Sequence, residues 1–289
     1  MILKNRKFKE FKKEEYTIRN DAVFKIVFGS NERSHLLKNF LEAILHRKIT
    51  NIVVRNEVAL NRIHAEDKFG KLDLLVEVDG KEKINIELQN KNEYNIIKRG
   101  EFYGSGIYYT SLKEGENYQE NLKTVVIMIL GYNLFKDGPY HEIGNIRRTS
   151  NNEILTDDIT YHYIQLPRFI EQVREVKTGE EQWLSYISCQ LNKEELEELY
   201  KMNRSIEEIN KIVDIVLEDK DVYDELNRRI FEKYDEMIKL HYAEEKGMEK
   251  GMEKGIIEIA KKMLEKNKPI EEIIEFTGLT KEELEKIQI

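Results

Sequence analysis

Two short segments joined by Asp79-Gly80 constrain this 289-residue chain more than any other feature. Leu72 to Val78 and Ile84 to Gln89 each alternate in strand period. Both residues of Asp79-Gly80 tolerate positive φ, so the dipeptide suits a tight hairpin turn. In such strands Leu72, Leu74 and Val76 point one way and Asp73, Leu75 and Glu77 the other, while Ile84, Ile86 and Leu88 oppose Asn85, Glu87 and Gln89. Asp73 and Glu87 are then able to share one face of the hairpin. Around it, Asn51 to Leu60, Thr124 to Leu130 and Ile159 to Leu166 read as strands. Asn20-Asp21 offers an N-cap to a short helix carrying Val23, Phe24, Val27 and Phe28, ended by Gly29. Glu32 to His46 reads as a helix burying Leu36, Leu37, Phe40, Leu41, Ile44 and Leu45, and Glu93 to Leu112 as one rich in aromatic residues. This order predicts an α/β core on a mixed sheet with flanking helices.

From Phe169 to about Met263 the pattern is almost all helical, with apolar spacing such as Ile206, Ile209, Val213 and Val216. A Glu-Lys-Gly repeat spans 245–255, placing glycines four apart, where they either permit close helix approach or weaken the helix. The end reads as three helices: Ile256 to Lys266, Ile270 to Phe276 ended by Gly278, and Lys281 to Ile287 with Thr280 and Glu283 as a capping box. The division expected is a core domain at 1–168, an acidic helical region at 169–242, and the repeat with its terminal module at 243–289.

The charge follows this division. Residues 1–180 hold 29 basic and 27 acidic residues, a balance of +2, and the remainder holds 18 and 28, a balance of −10, which together make the total of −8. The terminal module has the form of a helix-turn-helix, yet Glu271, Glu272, Glu275, Glu282, Glu283 and Glu285 would repel phosphate. That region is better suited to meeting protein, and self-association through it is one candidate use.

Several classes are excluded. The single Cys189 cannot form an intramolecular disulfide, and no Cys/His cluster has zinc-ligand spacing. The six histidines are scattered, and His35 and His46 read as structural or exposed. The charged N-terminus lacks the apolar run of a secretory signal, and no segment approaches the ~20 apolar residues of a membrane span. A cytoplasmic protein is expected. Gly104-Ser105-Gly106 lacks the third glycine and the preceding strand of a dinucleotide site.

The chemistry-bearing candidate is Asp73 with Glu87-Leu88-Gln89. Two carboxylates from adjacent strands can hold Mg²⁺, with the Leu88 carbonyl a further ligand and Gln89 two residues beyond Glu87 on the same face. The bland alternative is a solvated pair on an exposed sheet face.

The surrounding residues resemble the PD-(D/E)XK nuclease superfamily, and in particular its Rpn group, the recombination-promoting nucleases also described as transposases. The resemblance is carried by Asn20-Asp21-Ala22-Val23-Phe24-Lys25-Ile26-Val27-Phe28-Gly29, by Glu66-Asp67-Lys68-Phe69-Gly70-Lys71-Leu72-Asp73, and by Asn85-Ile86-Glu87-Leu88-Gln89. It continues in Arg99, Tyr103 and Tyr108, in Gly115-Glu116-Asn117-Tyr118, in Asn133-Leu134-Phe135, and in the tail Thr277-Gly278-Leu279-Thr280. It implies a restriction-endonuclease-like mixed sheet core followed by an all-helical C-terminal region. It further implies Mg²⁺-dependent hydrolysis of DNA phosphodiesters, with Mn²⁺ a candidate substitute. Asp73 and Glu87 become metal ligands, and Gln89 stands where the superfamily usually has lysine. A neutral amide supplies neither positive charge nor a base, so a non-catalytic DNA-binding or assembly protein on the same fold is the competing expectation.

Auxiliary residues have two readings each. Asp21 either adds a carboxylate or serves as an N-cap. Glu57 faces the site or water. Lys68 and Lys71 contact phosphate or merely decorate a polar loop. Arg99 and Tyr103, four apart on one helix face, contact DNA, close the site, or pair an exposed arginine with a core tyrosine.

Overall fold

Asn20 starts the first helix, its side-chain oxygen accepting from the Ala22 N–H at 3.0 Å and the Val23 N–H at 3.3 Å. It satisfies two of the donors that a helix start leaves open. The computed structural model describes residues 1–3, 17–56, 72, 74–112, 114–218, 246–248, 251–252, 254–266 and 268–285. Helix α1 (Asp21–Phe28) buries Val23, Phe24, Val27 and Phe28, as its spacing predicts. The cap is Asn20, which leaves Asp21 as the first helical residue. The capping explanation for Asp21 therefore does not hold.

Helix α2 (Ser34–Leu45) buries Leu36, Leu37, Phe40, Leu41 and Ile44, while Leu45 is only half-buried. It ends at His46, whose backbone is left-handed at φ 51°. The Phe28, Phe40 and Trp183 rings gather with centroids 5.5–6.0 Å apart, and the indole N–H donates to Asn39 Oδ1 at 3.0 Å. Aromatic groups buried this way are worth about 1.5–3 kcal/mol each in removed apolar surface.

The sheet has six strands in the order β1-β2-β3-β4-β6-β5. They are β1 (Ile52–Asn56), β2 (Leu74–Val78), β3 (Glu82–Gln89), β4 (Lys123–Leu130), β5 (His141–Arg147) and β6 (Ile154–Gln165). The β2–β3 hairpin forms where Asp79-Gly80 predicts it, with both residues at positive φ, 52° and 63°. The Asp79 carboxylate also accepts from the Thr50 and Asn51 N–H groups, at 2.9 and 2.6 Å, and so ties the turn to the entry of β1. Strand β3 runs parallel to β4, and β4 parallel to β6. Parallel neighbours need a crossover connection, and helix α3 (Ile96–Tyr109) lies between β3 and β4 in the chain.

Two expectations need correction. The alternation does not extend through Leu72, which precedes β2 and clusters with Leu75, Tyr103 and Ile107. The strand read at Ile159 to Leu166 is the later part of β6, but β5 and the start of β6 at Ile154 were not foreseen. Their apolar residues Ile143, Ile146, Ile154 and Leu155 are all more than half exposed, so they do not read as core.

Helices α4 (Leu166–Gln172), α5 (Gly179–Ile187), α6 (Lys193–Met202) and α7 (Arg204–Glu218) complete the first of two compact units, Met1–Tyr223. Both α5 and α6 begin with capping boxes, Thr178 with Glu181 and Asn192 with Glu195.

In the second unit, Asp224–Ile289, helical residues 254–265 (α8) precede α9 (Ile270–Thr277) and α10 (Lys281–Glu285). Its small core is Ala260, Ile273 and Leu284. Gly278 ends α9 in the left-handed conformation at φ 70°, and Thr280 with Glu283 forms the expected box at the start of α10. Among the described residues, a Cβ at Gly247, Gly251 or Gly255 would meet nothing within 4 Å.

Gly131 closes the top of the first unit. Its N–H donates to Gln89 O at 2.9 Å, and a Cβ there would lie 2.7 Å from Arg19 Nη2 and 2.9 Å from Asn90 O. Arg19 is itself buried and holds Asn90 Oδ1 with two nitrogens, at 3.1 and 2.9 Å. Gly131→Ala is therefore expected to cost about 1–3 kcal/mol through overpacking, read as a lower midpoint in urea denaturation with an unchanged slope.

Candidate active site

Strand β3 is central and mostly buried, yet one of its faces carries Lys83, Asn85, Glu87 and Gln89 at alternate positions. Buried polar groups on a sheet are the informative exception to an apolar core. The register sets Leu75 opposite Asn85 and Glu77 opposite Lys83, with Arg55 across from Leu75, so all of these share that face. Arg55, Leu75, Glu77 and Lys83 line a groove of about 310 Å³. Burial pushes the Lys83 ammonium down, Glu77 opposes that shift, and Arg55 adds to it.

Glu87 is 2% exposed, and a buried carboxylate demands compensation. Asn85 Nδ2 donates to its Oε1 at 3.1 Å, and Arg99 Nη2 donates to its Oε2 at 3.2 Å. Arg99 Nη1 also reaches Gln89 Oε1 at 3.4 Å, and Nε donates to Tyr103 Oη at 3.2 Å. The guanidinium lies 5.4 Å from the Tyr103 ring centroid and 3.8 Å from Glu93. One arginine thus joins both functional positions of β3 to α3. Gln89 Nε2 in turn donates to Lys91 O at 3.1 Å.

The close approach of α3 makes this reach feasible. A Cβ at Gly100 would stand 3.0 Å from Met128 Cε, and one at Gly104 would stand 3.0 Å from Tyr161 Oη. These two glycines bring the helix down onto β4 and β6. Tyr132, just past β4, is half-buried nearby, and its phenol is pushed up to about 12 by burial first and Glu93 next. It therefore stays protonated at neutral pH.

Of the sequence candidates, the structure brings Glu87, Gln89, Arg99 and Tyr103 together. The side chain of Leu88 is buried on the opposite face of β3. Asp21 stands at the first position of α1. Asp73, Glu57, Lys68 and Lys71 lie outside the described residues. Sequence reasoning overlooked Asn85, Arg55 and Lys83, although strand period alone places Lys83 and Asn85 in line with Glu87. Asn85 is fully buried, and its Oδ1 finds no hydrogen-bond partner among the described residues. Asn85 turns its Nδ2 toward Glu87, so this buried strand face presents a carboxylate held by two donors and, two residues before it, a free amide oxygen among the described residues, both of them oxygen donors of the kind hard cations take.

A mixed sheet with helices on it, a carboxylate on a central strand and a helical C-terminal region define a restriction-endonuclease-like α/β protein. A family model described as PD-(D/E)XK nuclease family transposase matches residues 18–243, well over half of the chain, and the chain belongs to that family. Comparison with curated proteins and with solved structures finds no match. No helix among the described residues is long and apolar enough to cross a membrane.

The Arg99–Glu87 pair is open to a direct test. Removing the cation strands a buried carboxylate, so Arg99→Met is expected to lower stability by about 1–3 kcal/mol. In a Glu87→Gln background the same change is expected to cost clearly less, because the two residues share one network. Urea denaturation of the four proteins in the cycle measures the coupling.

Proposed function

We propose that the protein is a divalent-metal-dependent DNA endonuclease, with Mg²⁺ the natural ion and Mn²⁺ able to substitute. The observation that carries the reading is the buried Glu87 carboxylate on β3, hydrogen-bonded by the buried Asn85, whose Oδ1 has no partner among the described residues, in a chain of a nuclease family. Asp73 is the proposed second carboxylate, since it immediately precedes β2, whose first pair is Leu74 with Ile86, the neighbour of Glu87. The Leu88 carbonyl is the proposed third donor. When bound there, Mg²⁺ would supply Lewis acidity toward a phosphoryl oxygen and toward the attacking water.

The chain's own residues have definite tasks in this reading. Gln89 orients water or phosphate through its amide, which can donate and accept but carries no charge. Arg99 holds Glu87 and Gln89 in place and offers its planar fork to a phosphate. Arg55 and Lys83, on the same sheet face and set against the single Glu77 carboxylate that pairs with Arg55 at 3.5 Å, leave the groove a net positive charge for the DNA backbone. Lys68 and Lys71 add phosphate contacts, and Asp21 and Glu57 are auxiliary carboxylates. The setting is the cytoplasm, the wider role is DNA recombination, and the C-terminal helices mediate self-association.

Cleavage of supercoiled DNA by the purified protein tests the assignment. Loss of a metal ligand removes several kcal/mol of transition-state stabilisation, so Asp73→Ala and Glu87→Ala are each expected to slow Mg²⁺-dependent nicking by roughly a hundredfold or more. Unchanged rates in both variants would falsify the site.

A second reading rests on the ion pair between Arg99 and Glu87, together with the neutral Gln89. An arginine already seated on the carboxylate is also what a non-catalytic DNA-binding relative would hold. Calorimetry separates the two: DNA retention with no Mg²⁺ or Mn²⁺ uptake favours the binding protein, whereas uptake that disappears in Glu87→Ala favours the nuclease.

A further inference from the structure

A second cluster of ligand-type side chains lies elsewhere in the first unit. His46 from the end of α2, His141 from the start of β5 and Glu180 from the first turn of α5 converge, with one nitrogen or oxygen from each lying within 4.8 Å of the others. His141 Nδ1 is 2.6 Å from Glu180 Oε1, and His46 Nε2 is 3.0 Å from Glu180 Oε2. The Tyr140 hydroxyl also hydrogen-bonds Glu180. The Glu180 and His141 side chains are 5% and 9% exposed, whereas His46 is 60% exposed. The cluster is therefore closed on the protein side and open to solvent on one side.

We propose that His46, His141 and Glu180 form a binding site for a divalent transition metal of the zinc class. The donor set is two imidazole nitrogens and one carboxylate, which zinc accepts with a fourth position left for water. Zinc bonds of about 2.0–2.2 Å to such ligands imply neighbouring donor atoms roughly 3.3 Å apart. The contacts to Glu180, 2.6 Å from His141 and 3.0 Å from His46, run at hydrogen-bond length to different carboxylate oxygens, and the exposed His46 is the ligand free to adjust.

The surroundings match what holds such a ligand in place. Ligating histidines usually engage their second nitrogen in a hydrogen bond that fixes the tautomer. His141 Nε2 lies 2.8 Å from His162 Nδ1. With Nδ1 of His141 given to the metal, its Nε2 carries the proton and donates to His162. His162 is buried beside it, and in the tautomer that carries its proton on Nε2 its Nδ1 accepts that bond. Glu180, at the start of α5, also needs positive charge nearby because it is buried. A bound cation answers that need, and it ties α2, β5 and α5 to one point.

This site is chemically distinct from the oxygen-rich one on β3, which allows a clean test. Full-length wild type, His46→Ala and Glu87→Ala are titrated with Zn²⁺ alone by calorimetry, and their thermal midpoints are followed with Zn²⁺ and with EDTA. The expected result is one equivalent of Zn²⁺ bound and a raised midpoint in wild type and Glu87→Ala, with affinity reduced at least about tenfold in His46→Ala. Because His46 is exposed, its replacement leaves the core intact, and circular dichroism confirms that the variant is folded. His46→Asp, which keeps a donor, is expected to recover part of the affinity. No Zn²⁺ binding by wild type, or equal binding by wild type and His46→Ala, overturns the proposal. So does binding abolished in Glu87→Ala but kept in His46→Ala.

Discussion

The placement of one guanidinium governs much of the first unit. Glu87 stands on a central strand with almost no access to water, and an uncompensated charge there would cost several kcal/mol. Arg99 supplies the compensation from α3, and it does so only because α3 lies close against the sheet. That closeness depends on Gly100 and Gly104, where Met128, Tyr163 and Tyr161 occupy the space a side chain would need. Sheet, helix and buried carboxylate are therefore one mechanical unit. The packing of the helix and the electrostatics of the strand each require the other.

The two faces of the β1–β3 region are correspondingly unlike. One carries Leu74, Val76, Ile84 and Ile86, all fully buried. The other mixes Leu75 with Arg55, Glu77, Lys83, Asn85 and Glu87, and opens into a groove. A strand can serve both purposes because its side chains alternate, so the apolar face pays for the polar one. Additional buried polar groups mark the loops beyond the sheet. Gln165 accepts from the Leu134 and Phe135 N–H groups, and Arg168 donates to Phe135 O and Asp137 O. These bonds hold the segment after β4 in a fixed course beside Tyr132.

Local patterns were legible and distant encounters were not. The Asp79-Gly80 turn, the buried faces of α1 and α2, and the Thr280–Glu283 box all follow from residues a few positions apart, and each is present. The α/β mixed sheet was likewise readable from the alternation of periods. Asn85 was overlooked because an isolated asparagine in a strand signals nothing until its burial is known. Asp21 kept two readings in the sequence because Asn20 and Asp21 are both good caps, and only backbone geometry shows that Asn20 takes that role. Strand β5 and the start of β6 escaped because an exposed ribbon has no core-facing stripe to betray it, whereas the buried end of β6 was read as a strand. His46, His141 and Glu180 are 95 and 39 residues apart in turn, so the absence of zinc-finger spacing was a sound observation about sequence that did not exclude a cluster assembled by the fold. Arg99 beside Tyr103 was visible as a helix pair, but its hold on Glu87 required the tertiary structure.

The parallel pairing in the middle of the sheet also sets the order of events when the chain is made. Strand β4 cannot be sandwiched until β6, ending at Gln165, has emerged, and the Phe28–Phe40 cluster stays open until Trp183 arrives. Contacts this far apart along a chain form slowly, and larger proteins assemble through partly folded intermediates. Strand β3 lies between β2 and β4, so it gains both neighbours once Leu130 has emerged, whereas the aromatic cluster waits for Trp183. The groove, by contrast, is lined by Arg55, Leu75, Glu77 and Lys83, so its residues are all made within the first third of the chain, before the strands that complete the sheet.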